Sequence, residues 1–200
     1  TQRGPHGHFD ALSMTISHQN VPFLVDSGGP YKYGEEFRFT YFMSNRAHNN
    51  IILNNNVHQS GAKNVISSMP YENVYKIRAE HAGYDPIKVS RELFIFDQMG
   101  VLVVDRVNSV NSPLDVDSIW HFARNSTLNL GESGLVIENS GSRISAFSSH
   151  YDQLKHSIVS GLEGDSPQGW MTDGIGKRTP IPTLVSSITT TQDLSIGWFF

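Results

Sequence analysis

The clearest strand pattern in the sequence is Arg91-Glu92-Leu93-Phe94-Ile95-Phe96-Asp97-Gln98-Met99-Gly100-Val101-Leu102-Val103-Val104-Asp105-Arg106. Two runs rich in β-branched and aromatic residues flank a turn at 98–100, and such residues favour strands. Both runs are apolar enough for strands that lie inside a sheet. The stretch therefore predicts two neighbouring strands in the core of a β protein.

Alternation of apolar and polar residues extends this pattern towards the N-terminus. Two alternating segments, 12–16 and 21–25, flank a polar turn near residue 19 and predict a β-hairpin. If paired positions sum to about 38 in such a hairpin, Asp26 lies opposite Leu12. His8 enters the hairpin at that same end, so we expect His8 and Asp26 to lie close together.

Further strands are expected along the rest of the chain, and no segment of a dozen residues has a strong helical stripe. Many short strands without a dividing linker predict an all-β protein, an antiparallel multi-strand β-sandwich in a single domain, 1–200. The expected strands are 37–43, 50–53, 75–82, 87–96, 101–107, 118–123, 126–130, 135–138, 144–147, 154–159, 183–190 and 194–200.

Composition narrows the classes of function. The net charge of -4 argues against a general nucleic-acid binder, although local basic groups can still bind an anionic substrate. The chain has no cysteine, which removes disulfides and thiolate metal sites. No apolar run reaches the roughly 20 residues of a membrane span. Because the chain begins with Thr1 and not Met, we expect it to be processed or cut from a longer protein.

Three possible metal ligands lie in the first fifty residues. His8, Asp26 and His48 would come from adjacent strands of a rigid sheet. Neutral imidazole and carboxylate oxygen are ordinary ligands of Zn²⁺, so the set predicts a zinc site. The alternative is a polar sheet edge at which a His–Asp pair binds no metal.

Other residues are candidates for proton transfer or substrate binding. His6 beside Tyr33 could move a proton, whereas the alternative makes Tyr31 and Tyr33 packing residues of a Gly/Pro turn. Arg38 either binds a substrate carboxylate or pairs with a neighbouring glutamate. Trp170 is either a stacking platform for a sugar or a core residue.

The remaining histidines are expected to play no part in the site. His121 alternates with Trp120 and Phe122 and should point outward from its strand. Isolated histidines in polar surroundings should be solvated: His58, His81, His150 and His156. His8-Phe9-Asp10 also has the form of part of a two-His-one-carboxylate Fe(II) site. That reading is weaker, because the late strands have no basic residue for an oxoacid cosubstrate.

Taken together, these motifs resemble the C-terminal sandwich of heparinase II/III-type polysaccharide lyases. The resemblance spans nearly the whole chain, and order, spacing and residue type agree best in the first fifty residues. The stretches that carry it are Gly4-Pro5-His6-Gly7-His8-Phe9-Asp10-Ala11-Leu12-Ser13, Leu24-Val25-Asp26-Ser27-Gly28, Tyr31, Tyr33, Arg38, Ala47-His48-Asn49, Leu102-Val103-Val104-Asp105-Arg106-Val107 and Gly169-Trp170.

The resemblance implies a function and a set of roles. Enzymes of this family cleave uronic-acid-containing polysaccharides, glycosaminoglycans among them, by β-elimination. A helical toroid domain, absent from this chain, precedes the sandwich and shares the cleft. By the match, the ligands of a structural Zn²⁺ are His8, Asp26 and His48. The catalytic residues would be His6 and Tyr33.

Substrate binding would fall to Tyr31 and Arg38, and the substrate would be an acidic polysaccharide. The missing helical half implies that the isolated chain has little or no activity. A bacterial, periplasmic or secreted location is expected, with no nucleic acid as partner. The alternative function is a non-catalytic carbohydrate-binding or assembly module in capsule or exopolysaccharide metabolism.

Overall fold

A computed structural model describes residues 7–29, 31–59, 64–71, 73–108 and 112–200. Within these ranges the regular secondary structure consists almost entirely of strands that pair antiparallel, which confirms the predicted all-β sandwich. The larger sheet has eight strands in the order β4 (Asn64–Tyr71), β5 (Val74–Tyr84), β6 (Ile87–Phe96), β7 (Gly100–Val107), β16 (Leu194–Phe199), β11 (Ser142–Ser148), β10 (Leu135–Asn139) and β9 (Thr127–Leu130).

A smaller four-stranded sheet packs against the larger one. Its order is β12 (Lys155–Val159), β15 (Thr183–Thr190), β8 (Leu114–His121) and β3 (Ile51–Leu53). Two hairpins lie beside the sandwich, β1 (Ile16–His18) with β2 (Val21–Leu24) and β13 (Trp170–Thr172) with β14 (Arg178–Pro180). Short helical turns are Arg38–Phe42 (π-helical), Asn45–Ala47 and Tyr151–Gln153 (both 3₁₀).

The predicted pair of strands at 91–106 forms the centre of the larger sheet as β6 and β7. Phe96 pairs with Gly100 across a tight turn, in which Gln98 has a φ of 57°. Gly100 has a φ of 149°, and a side chain there would collide with the carbonyl group of Phe200. The turn therefore requires glycine at this position.

Large aromatic side chains join the two sheets. Trp120 on the smaller sheet packs against Trp198 and Phe200 of the larger sheet, with ring centroids 6.5 and 5.1 Å apart. All three side chains are buried in one apolar cluster. Burial of a side chain such as Phe200 contributes about 2–3 kcal/mol, so this contact is a main source of cohesion between the sheets.

The first hairpin forms as predicted, but it is shorter. Gln19 and Asn20 have φ of 49° and 64°, which suits the two-residue turn that matches strand twist. The ladder ends at the pair of Ile16 with Leu24, so the predicted pairing of Leu12 with Asp26 is wrong. Leu12 instead has a φ of 66°, which takes this part of the chain out of extended conformation.

Strand prediction from alternating apolar and polar residues fails in segments where buried and exposed side chains do not alternate. The predicted strand 37–43 is wrong, because the adjacent side chains of Tyr41 and Phe42 are both buried and the backbone is π-helical. β4 was not predicted, since its residues 66–70 are all exposed and show no inward face. None of the helices in the described ranges is long and apolar enough to cross a membrane.

Three histidines expected at the surface are buried. His121 is fully buried, and His58 and His81 are nearly so, which corrects the prediction that they are solvated or point outward. The ring of His81 lies 5.0 Å from that of His58, and its Nδ1 accepts the backbone N–H of Gly83. Burial, His58 and Arg91 together lower the pKa of His81 to about 4.

We predict that His81 makes the fold sensitive to acid. Above pH 6.5 the ring is neutral in folded and unfolded chains, whereas between pH 6.5 and about 4 only the unfolded chain binds the proton. Stability therefore falls as the pH drops through this range, by up to about 3 kcal/mol from this group. His81→Asn, which keeps an acceptor for Gly83, should reduce that fall in urea unfolding measured from pH 8 to pH 4. An unchanged slope, equal to that of the exposed-site control His18→Asn, would contradict the prediction.

Candidate functional site

The candidate site lies where two segments without regular secondary structure run side by side, one directly after β2 and the other directly before β3. The first follows β2 and carries Asp26, and the second follows the 3₁₀ turn Asn45–Ala47 and carries His48. Ser27 joins them, since its N–H and its hydroxyl both donate to the carbonyl oxygen of Ala47. Val25 donates its N–H to the carbonyl oxygen of His121, which ties the first segment to β8.

Asp26 and His48 are in direct contact. The Nδ1 atom of His48 lies 2.8 and 3.1 Å from the two carboxylate oxygens of Asp26, and Gly28 donates its N–H to the same carboxylate. Burial acts to raise the pKa of Asp26, but the hydrogen bond and charge of His48 outweigh it and hold the pKa below its ordinary value. The carboxylate is therefore ionised at neutral pH.

His48 presents a free ring nitrogen in the interior. The side chain is 1% exposed, and among the described residues its Nε2 atom has no hydrogen-bond partner. When Nδ1 donates its proton to Asp26, the Nε2 atom keeps a lone pair, which is the form of imidazole that binds metals. A buried polar atom of this kind is costly unless something satisfies it.

His8 converges on the same place beside Gly28. A Cβ atom on Gly28 would lie 2.6 Å from Cε1 of His48 and 3.0 Å from Nδ1 of His8, and the ring centroids are 5.4 Å apart. Burial, followed by the charge of His48, lowers the pKa of His8. The three predicted ligands thus surround a single glycine. Over the described part of the chain, no group of three His, Cys, Asp or Glu side chains already has the spacing of a metal-binding group.

A buried polar network behind these residues was not predicted from the sequence. Asn49 donates its side-chain amide to the carbonyl oxygens of Met14 and Val25, and its Oδ1 accepts the backbone N–H of His121 at 2.7 Å. The Nδ1 atom of His121 is 3.2 Å from the same oxygen. One side chain therefore connects the first hairpin with β8.

The other side of His121 contacts Tyr41 and Gln168. Gln168 donates its amide to Nε2 of His121 at 2.9 Å, and the hydroxyl of Tyr41 lies 3.2 Å from that atom. Burial, followed by the charge of His48, lowers the pKa of His121 to about 3, and burial raises the pKa of Tyr41 to about 12. Both groups are neutral at ordinary pH, so the network holds its segments together by hydrogen bonds between uncharged groups.

The remaining predicted residues lie on the π-helical side of the site. Tyr33 is 66% exposed, whereas Tyr31 is buried against Phe42 with ring centroids 4.8 Å apart. Arg38 is 4% exposed, and its guanidinium lies 4.5 Å from the centre of the Tyr33 ring and donates to the carbonyl oxygen of Tyr31. The burial of Arg38 does not fit the alternative of a surface pair with a neighbouring glutamate. His6 lies outside the described residues.

The hairpin β13–β14 covers one flank of the site. Thr172 donates its N–H to the carbonyl oxygen of Ser27 and lies against Gly29. Trp170 packs in a second apolar cluster with Phe37, and the guanidinium of Arg178 lies 4.4 Å from the centre of the Trp170 rings. Trp170 thus packs partly against this cluster, in keeping with the packing alternative. The contact of this hairpin with Ser27 and Gly29 has no signal in sequence spacing.

We predict that the fold requires the absence of a side chain at Gly28. Gly28→Ala places a methyl group against His8, His48 and the carbonyl oxygen of Phe42, so it should lower the free energy of unfolding by about 1–3 kcal/mol. Denaturant unfolding measures the change. The matched control is Gly131→Ala, whose nearest neighbour would be at an ordinary 3.5 Å and which should leave stability nearly unchanged. Equal stability of the two variants would contradict the crowding.

Comparisons with known proteins identify the family. A family model described as "Heparinase II/III-like, C-terminal" matches residues 1–198. The chain is similar to the structure of heparan sulfate lyase HepC from Pedobacter heparinus, with 14% identity and a TM-score of 0.83 over 100% of this chain and 32% of that one. It is also similar to the structure of a heparinase III, the BT4657 gene product, with 16% identity and a TM-score of 0.80 over 98% of this chain and 31% of that one.

Identities this low show the shared fold alone, and the chain spans about a third of the length of these solved relatives. No curated protein matches it. Since the family model covers nearly every residue, the chain belongs to the heparinase II/III-like C-terminal family.

Proposed function

We propose that this chain is the β-sandwich part of a polysaccharide lyase that cleaves uronic-acid-containing polysaccharide by β-elimination. The observation that carries the proposal is the convergence of His8, Asp26 and His48 around Gly28 in a chain of this family. The solved relatives named above are described as a heparan sulfate lyase and a heparinase III. An acidic polysaccharide is therefore the substrate class that we assign.

The same three side chains form the proposed zinc site. Their donor atoms are two imidazole nitrogens and a carboxylate that is ionised at neutral pH, which is a ligand set that Zn²⁺ favours. The carboxylate of Asp26 faces Nδ1 of His48 beside the side-chain-free space at Gly28, and an ion held between these two groups would replace their hydrogen bond. When bound, Zn²⁺ supplies a structural cross-link between the three segments. His8, which is only partly buried, would have to turn its ring to complete the set.

The chemistry requires a base, an acid and neutralisation of the uronate carboxylate. In β-elimination the base removes the C5 proton, the electron pair forms the C4–C5 double bond, and the C4–O bond breaks as the leaving oxygen takes a proton. We assign proton transfer to His6 and Tyr33. Tyr33 is well placed because its ring is exposed.

Arg38 and Tyr31 support substrate binding in this scheme. The guanidinium of Arg38 lies directly beneath the exposed ring of Tyr33, so its positive charge favours a carboxylate at this surface. The carbonyl oxygen of Tyr31 accepts from the guanidinium and helps to hold it there. We infer that a helical toroid domain of the same protein closes the cleft, as the greater length of the relatives suggests.

We predict that metal binding and stability depend together on the ligand set. The purified protein should contain about one zinc per chain by elemental analysis, and His48→Ala should lose it and unfold at a lower temperature. His8→Ala should weaken zinc binding in the same direction. His18→Ala, at an exposed position in β1, is the control and should retain the metal. A metal content that is zero, or that is equal in all four proteins, would remove the zinc assignment.

We predict that Tyr33 is needed for lysis. In the full-length protein, Tyr33→Phe should lower the rate at which unsaturated uronate product appears in ultraviolet absorbance by about 10²–10⁴-fold, because it removes a proton donor. Tyr75→Phe, at a half-exposed position on β5, should behave as the unmodified protein. Binding of acidic polysaccharide without any unsaturated product would instead favour the non-catalytic carbohydrate-binding module.

A further inference from the structure

Arg91 and Asp105 form a buried ion pair in the centre of the larger sheet. They lie directly opposite each other on β6 and β7, and both are 3% exposed or less. The Nε and Nη2 atoms of Arg91 donate to the two carboxylate oxygens of Asp105 at 2.7 and 2.9 Å. This bidentate geometry uses one edge of the guanidinium and fixes the orientation of its plane.

The remaining nitrogen of the guanidinium, Nη1, reaches the candidate site. Nη1 of Arg91 donates to the carbonyl oxygens of Leu12 and Asn49, each at 2.7 Å. Leu12 lies four residues after His8, and Asn49 directly follows His48. One side chain in the sheet therefore holds both of the segments from which the two imidazoles project. Neither segment is a strand at that point, so no sheet ladder supplies this connection.

Stability alone does not account for a buried charge pair here. Such pairs cost desolvation free energy, and apolar residues of similar volume often stabilise a protein equally well. An apolar pair could not donate to two carbonyl groups. A lysine could not donate in three fixed directions, because its ammonium lacks the planar fork of arginine. The distinctive property of Arg91 is thus its simultaneous contact with Asp105 and with both segments.

We propose that Arg91, oriented by Asp105, is a positioning residue for His8 and His48. It fixes the separation of the segments that carry His8 and His48, so the two imidazoles are already positioned before Zn²⁺ binds. This inference rests on the proposed zinc site for its metal readout. It also has a readout that requires no metal, namely the protection of backbone N–H groups in the two segments.

Two variants separate positioning from general stability. Arg91→Lys keeps the charge beside Asp105 but not the fork. The double variant Arg91→Met with Asp105→Leu removes both charges and keeps the core apolar and filled, so it should remain folded. Val103→Ala is the matched control, because it removes buried volume two residues from Asp105 and removes no hydrogen bond to either segment.

The first measurement is titration of each metal-free protein with Zn²⁺ and with Co²⁺, whose absorption reports on its ligands. Arg91→Lys and the double variant should bind about 10- to 100-fold more weakly, as expected when the support of a ligand is lost. Val103→Ala should bind as the unmodified protein does, whatever its loss of stability. Unchanged affinity in the folded double variant would overturn the proposal.

The second measurement is amide hydrogen exchange in the presence of a chelator. The N–H of Asn49 donates to Ser13 and that of Phe9 donates to Met43, so both report on the two segments. Both should exchange faster in the two Arg91 variants and not in Val103→Ala. If the unmodified protein binds no metal, faster exchange still supports positioning while the zinc assignment fails. Equal exchange in all variants would overturn positioning itself.

Discussion

Buried backbone without regular secondary structure constrains this molecule more than any other feature. The segments around Asp26 and His48 run through the interior, where every unpaired N–H or C=O group costs free energy. Because no ladder satisfies these groups, buried side chains do so. The side-chain amide of Asn49 donates to the carbonyl oxygens of Met14 and Val25. The guanidinium of Arg91 donates to the carbonyl oxygens of Leu12 and Asn49. The candidate site exists because these polar side chains sit inside an otherwise apolar sandwich.

The buried titratable groups that support the site are either paired with a second titratable side chain or neutral at pH 7. Asp105 is paired with Arg91 through two short contacts, and Asp26 is paired with His48. His121 and Tyr41 are held neutral by burial, with pKa values of about 3 and about 12. A hydrogen-bonded network of this kind restricts the motion of the side chains that it joins. Rigid support of this kind is what a site needs if ligands are to be presented without further rearrangement.

The exposed part of the site has a different character. Tyr33 lies on the surface above the buried Arg38, and the aromatic cluster around Phe37 supports both from below. The hairpin β13–β14 closes one flank with Trp170 and Arg178. This surface is the side from which a charged chain of sugars would approach in the proposed function. The relatives share its fold, but at their low identity the substrate is assigned by the proposal and not by the likeness.

Local pattern was sufficient for most of the sandwich and for the first hairpin. Strands such as Ile87–Phe96 and Thr183–Thr190 have the predicted bounds, because runs rich in β-branched and aromatic residues favour strands. The motif around His8, Asp26 and His48 likewise carried the family, which the match over 1–198 confirms. Their role as zinc ligands stays a prediction.

The surroundings of His8, Asp26 and His48 come from tertiary contacts that the sequence pattern does not reveal. Burial of His121 depends on Tyr41 and Gln168, which lie 80 and 47 positions away in the chain, so no local pattern could reveal it. Nor could strand alternation show that the guanidinium of Arg91 reaches Leu12 and Asn49 across the sandwich. A sequence specifies which face of a strand is apolar, but the neighbours that satisfy a buried polar group come from distant segments that meet only on folding.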